Sequence, residues 1–101
     1  MENNICICVF YEKDGIVRNY VSYYIRALTE VASKIIVVVN GKISEEGLTT
    51  LKDFDNVEII KRENKGLDFG AWKETIDKIG YENLKEYDNI ILTNTTCYGP
   101  V

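Results

Sequence analysis

Lys34-Ile35-Ile36-Val37-Val38-Val39-Asn40 sets five β-branched apolar residues in succession between two polar ones. The run lacks a helical period and is closed by Asn40-Gly41, so it predicts a strand. Upstream, Ile5 to Tyr11 is a second apolar, β-branched run, short enough for a strand buried on both faces. Between them the period changes. Val17, Tyr20, Val21, Tyr24, Ile25 and Leu28 recur at helical spacing, while Arg18, Ser22, Arg26 and Glu30 fall off that stripe. Strand, helix, strand within 40 residues is the opening of a βαβ unit.

Downstream the pattern repeats. Ser44 ahead of Glu45, Glu46 and Gly47 predicts a capped helix start with acids in the first turn, and Leu48, Leu51 and Phe54 supply its apolar side. Val57 to Ile60 predicts a third strand, and Arg62 to Gly70 a polar, glycine-bearing turn. Phe69, Trp72, Ile76 and Ile79 mark another amphipathic helix, Tyr81 to Tyr87 a short helix or turn, and Asn89 to Thr93 a fourth strand. The order β-α-β-α-β-α-β predicts an α/β fold with a parallel sheet, flanking helices and right-handed crossovers.

The 101 residues are read as a single domain, 1–101, large enough for one modest core. Hydrophobic residues at 46% and charged residues at 28% exclude a disordered chain. A net charge of −4 argues against nucleic acid and against polyanionic membrane surfaces. No apolar run approaches the roughly 20 residues of a membrane span, and Met-Glu-Asn-Asn is no signal sequence. The chain thus reads as cytoplasmic, reaching the inner face of a membrane only through partners. The cysteines, with no histidine beside them, read as buried free thiols. Stopping in the middle of a turn motif, the chain reads as the front of something longer. An unfinished sheet would leave an edge strand or apolar face to cover, and a homo-oligomer is one way to cover it.

In open α/β sheets, ligands bind outside the carboxyl ends of the strands, where strand order reverses. The four strand exits are the loaded ones: Tyr11-Glu12-Lys13-Asp14, Asn40-Gly41-Lys42, Lys61 through Gly70, and Asn94 through Gly99. At the first, Tyr11 offers a stacking surface and Asp14 an acceptor for a base edge, although an ordinary turn fits as well. At the third, Asn64-Lys65-Gly66-Leu67-Asp68-Phe69-Gly70 places two glycines before a helix, whose N-terminal amides suit phosphate. Lys61, Arg62 and Lys65 add cationic donors. Read by themselves, the same residues fit better a tight turn in which Asp68 caps the helix and the basic residues are solvated, although the position of Asp68 also suits an acceptor for a sugar hydroxyl. Trp72 and the Tyr20, Tyr23, Tyr24 cluster are assigned to packing. A receiver-like signalling domain is excluded, because the strand ending Val37-Val38-Val39-Asn40 closes on an amide, not a phosphoacceptor carboxylate.

Taken together, Arg62-Glu63-Asn64-Lys65-Gly66-Leu67-Asp68-Phe69-Gly70-Ala71-Trp72-Lys73, then Tyr87 through Asn94, then Tyr98-Gly99-Pro100, resemble the rhamnan synthesis F family. That family is associated with rhamnose-containing polysaccharide and lipopolysaccharide, and its members look like glycosyltransferases with a nucleotide-sugar (GT-A) domain. The resemblance implies a Rossmann-like front half of such a domain, binding a nucleoside-diphosphate sugar, with dTDP-rhamnose as the candidate donor and a glycan as acceptor. It further implies that Tyr11 and Asn40 contact the nucleoside, that Asn64, Gly66, Asp68 and Gly70 shape the ribose and diphosphate pocket, and that Asn94 marks the usual Asp-x-Asp position. The family usually shows Asn-Asp-Ser there, whereas this chain has Asn94-Thr95-Thr96. A hard divalent cation prefers charged oxygens, so no metal and no other cofactor is expected. Asp88 stands at the other end of that strand, roughly 17–20 Å away. The acceptor-binding half and the catalytic base are expected beyond Val101. The alternative is a truncated or degenerate α/β module without transferase activity.

Overall fold

The computed structural model describes residues 3–11, 17, 19–62 and 68–94, with the side chains of Tyr20, Asp68, Phe69 and Asn94 outside the description. Its elements are β1 (Asn4–Phe10), α1 (Asn19–Thr29), β2 (Lys34–Asn40), α2 (Glu45–Lys52), β3 (Val57–Arg62), α3 (Asp68–Ile79), α4 (Tyr81–Leu84) and β4 (Asn89–Asn94). The strands form one parallel sheet in the order β3-β2-β1-β4. The α/β architecture expected from the sequence is therefore observed. β3 runs two residues further than its apolar core, to Arg62, because Asn40 and Arg62 still pair across β2 and β3.

β1 and β2 are apolar without alternation because both faces are covered. Cys6, Cys8 and Phe10 with Ile35, Val37 and Val39 pack under Val21, Ile25 and Leu28 of α1 and Leu51 of α2. Ile5, Ile7, Val9, Ile36 and Val38 face the other way, against Ala71, Trp72, Ile76 and Ile79 of α3 and Leu84 of α4. Successive strand residues point to opposite faces, so two adjacent apolar strands feed two cores at once. Val17 belongs to the first core but precedes α1, which begins at Asn19.

α2 starts as its sequence requires. Ser44 is the N-cap and its Oγ accepts from the Gly47 amide at 3.0 Å, with Glu45 and Glu46 in the first turn. Thr75, buried in α3, satisfies its hydroxyl by donating to the Ala71 carbonyl at 2.8 Å.

The amino ends of the strands are sewn together by asparagines. Asn4 Nδ2 donates to the Val31 carbonyl at 2.8 Å, Asn56 Nδ2 to the Ala32 carbonyl at 3.2 Å, and Asn89 Nδ2 to Asn4 Oδ1 at 2.9 Å. The Asp88 carboxylate accepts from the Asn3 amide at 2.8 Å. Asp88 is thus fixed at the edge opposite Asn94, as its place in the strand predicts.

Candidate functional site at the carboxyl edge of the sheet

Because all four strands run the same way, their last residues share one edge. Register pairs Val9 with Asn94, Phe10 with Val39 and Asn40 with Arg62. Four sequence-selected residues, Tyr11, Asn40, Arg62 and Asn94, are thereby gathered at that edge. β1 leads through α1 to β2 on one side, while β4 lies on its other side, so strand order reverses between β1 and β4. The crevice outside a reversal of this kind is where α/β sheets take ligands. Tyr11 is 40% exposed at its β1 side.

Asn40 and Arg62 are held by the protein itself. Asn40 is 3% exposed, and its Oδ1 accepts from Arg62 Nη1 at 3.1 Å. Arg62 Nε donates to Glu74 Oε2 at 2.5 Å, closing an ion pair from β3 to α3. The next residue, Gly41, sits at φ 122°, a region open to glycine, and its amide donates to the Arg62 carbonyl at 3.0 Å. One guanidinium thus ties the β2 exit, the β3 exit and α3 together. Two of its donor directions are spent on Asn40 and Glu74. The remaining N–H groups are the part that an anionic ligand would meet.

α3 begins at Asp68, one residue before the apolar stripe, so Asp68 is the first helical residue. Gly70 lies in the first turn with no positive φ, and a Cβ built there meets nothing within 4 Å among the described residues. Its smallness is therefore unused by the described packing. Asp14, Asn64, Lys65 and Gly66 lie outside the described residues, as do Thr95 and Thr96. An amide and two hydroxyls are a poor donor set for a hard divalent cation. The residues at this position do not fit the metal that many GT-A enzymes carry.

Three residues that the sequence reading left to packing, or did not single out, converge on this edge. Trp72 Nε1 donates to the Thr93 carbonyl at 3.0 Å, and the Tyr24 hydroxyl shares a hydrogen bond with Thr93 Oγ1. Glu74 is the third, through Arg62. Helical spacing predicts that Trp72 and Tyr24 face the sheet, but the polar end of an aromatic has no sequence signal of its own.

Hollows lie along both flanks of α3. One of about 310 Å³ is lined by Ile60, Lys61, Arg62, Glu74, Thr75 and Lys78. Another, of about 350 Å³, is walled by Trp72, Lys73, Ile76 and Leu92. Neither is the crevice between β1 and β4. No helix among the described residues is long and apolar enough to cross a membrane.

Comparison with known proteins agrees with the motif-based resemblance. No curated protein and no solved structure gives a significant match to this chain. The profile of the family described as rhamnan synthesis protein F matches residues 35–101, from β2 through the Asn-x-Gly-x-Asp-x-Gly motif to the Tyr-Gly-Pro ending. With well over half of the chain matched, this protein belongs to the rhamnan synthesis protein F family.

Proposed function

We propose that this chain is the donor-binding part of a glycosyltransferase acting in the synthesis of rhamnose-containing cell-surface polysaccharide, lipopolysaccharide included. It would hold a nucleoside-diphosphate sugar, dTDP-rhamnose foremost, in the crevice outside β1 and β4, for transfer to a glycan acceptor. The observation that carries this reading is the gathering of Tyr11, Asn40, Arg62 and Asn94 at one sheet edge, beside a reversal of strand order. Tyr11 supplies a face for the base, and Asp14 an acceptor for its edge. The segment from Arg62 to Gly70, with Asn64, Lys65, Gly66 and Asp68, would supply amides and cations for ribose and diphosphate at the head of α3. Membership of a rhamnan-synthesis family supports the polysaccharide context.

Isothermal titration with dTDP, UDP and their sugars tests the reading. Heat of binding at millimolar ligand or below, lost on adding excess dTDP beforehand, is the expected result. Silence at millimolar ligand from a folded sample removes it.

A second reading is a non-catalytic α/β module that folds and transfers nothing. The Asn94-Thr95-Thr96 sequence and the engagement of Arg62 by Glu74 favour it. Donor hydrolysis or transfer by the isolated chain above a protein-free control would rule it out.

A further inference from the structure

We propose that Trp72 and Tyr24 are positioning residues that clamp the exit of β4 from both faces of the sheet and so fix one wall of the donor crevice. The proposal rests on the reading of that crevice as the nucleoside-diphosphate site.

Among the described residues β4 is an edge strand, paired only with β1. Its last registered residue is Asn94, opposite Val9. A strand end with a neighbour on one side is among the first parts of a sheet to open. Here the preceding residue is held twice. From the α3 face, the Trp72 indole N–H reaches the Thr93 carbonyl at 3.0 Å. From the α1 face, the Tyr24 hydroxyl meets Thr93 Oγ1. The two helices lie on opposite sides of the sheet, each in contact with its own core. Their only shared target among these hydrogen bonds is Thr93.

Packing alone does not require this chemistry. A phenylalanine would cover the same apolar surface at Tyr24 and most of it at Trp72, whereas the hydrogen bonds need the indole N–H and the phenol. The grip is also placed where it matters for a ligand. Trp72 lies in the first turns of α3, the helix whose N-terminus opens at the same edge, so one rigid element carries both the helix head and the hold on β4. Any ligand spanning the β1–β4 crevice would then meet a β4 exit set in advance, with less ordering left for binding to supply.

The full chain carrying W72F, and separately Y24F, tests the clamp at a temperature well below unfolding. Hydrogen exchange at the Asn94 amide should accelerate roughly fivefold to tenfold in each variant, about the factor that one hydrogen bond supplies. Exchange in β2 should be unchanged. The dissociation constant for dTDP should rise by a similar factor, while a purely structural role would lower the melting temperature and leave affinity alone. Unchanged exchange at Asn94 in both variants overturns the clamp. Faster exchange with unaltered dTDP affinity overturns its role in positioning. A wild-type chain that binds no nucleoside diphosphate overturns the donor reading and, with it, any positioning for that ligand, whatever the exchange shows.

Discussion

Cys6 and Cys8 stand two apart in β1 and face the layer beneath α1, fully buried. Burial pushes the Cys6 thiol from its ordinary 9.0 up to about 11, because a thiolate would lose its hydration there. Both are buried, as the sequence reading expects, and Cys6 is a free thiol. Only the thiolate is a nucleophile, so Cys6 stays inert near neutral pH. The shift also links pH to stability. Between pH 9 and 11 the folded chain retains a proton that the unfolded chain has lost, so stability falls as pH rises through that window. Below pH 9 the contribution is fully present. On the order of 2 kcal/mol is at stake. Urea titrations of wild type and C6A at pH 8 to 11 should show a steeper fall in the wild type, and parallel curves would contradict this. Asn40 and Arg62 show where reading by residue stops. Both are expected as ligand contacts, yet the fold engages them with each other and Arg62 also with Glu74, a partner on another element that no local pattern indicates.

Among the elements, α2 was the most legible at its start and the least legible at its third position. Ser44, Glu45 and Glu46 announce a capped N-terminus, and the cap is formed. Gly47 looks like a weakness, since glycine inside a helix costs about 1 kcal/mol relative to alanine. The fold explains it. A Cβ at Gly47 would stand 2.4 Å from Val17 Cγ2, a stiff β-branched neighbour in the connection ahead of α1. G47A should therefore destabilise by about 1–3 kcal/mol, as overpacking does, rather than stabilise by propensity. The urea midpoint decides the sign, and a higher midpoint for G47A would contradict the contact. Such a contact joins segments distant in sequence, and no window along the chain reveals it.

For the molecule as a whole, the parallel α/β layout was legible because β1 and β2 are apolar on both faces and the helices carry a clear period. Strand order was not. Alternating β and α elements leave open whether β4 adds beside β3 or beside β1, and its place decides where the crevice falls. The two outer strands differ in character: β3 carries exposed Glu58 and Lys61, whereas β4 exposes Ile90 and Leu92 at 44% and 45%. Charges blunt an edge and apolar residues do not. The asparagine stitching of the amino edge was equally invisible beforehand, since asparagine serves turns, caps and surfaces alike.

The Asn40-Gly41 pair carries a consequence for how the protein ages. In a free chain this dipeptide deamidates readily, the glycine nitrogen attacking the asparagine side-chain carbonyl to close a succinimide as the side-chain nitrogen leaves as ammonia. Here that nitrogen is occupied by the Arg62 carbonyl and the asparagine oxygen by the guanidinium, in a strand at the centre of the sheet. Ring closure must wait until β2 comes apart, so chemical decay at this point counts unfolding events. Peptide mass spectrometry after long incubation at mildly alkaline pH should find conversion at Asn40 growing with urea in step with the unfolded fraction. A rate in plain buffer equal to that of the denatured chain would show that the lock is not there.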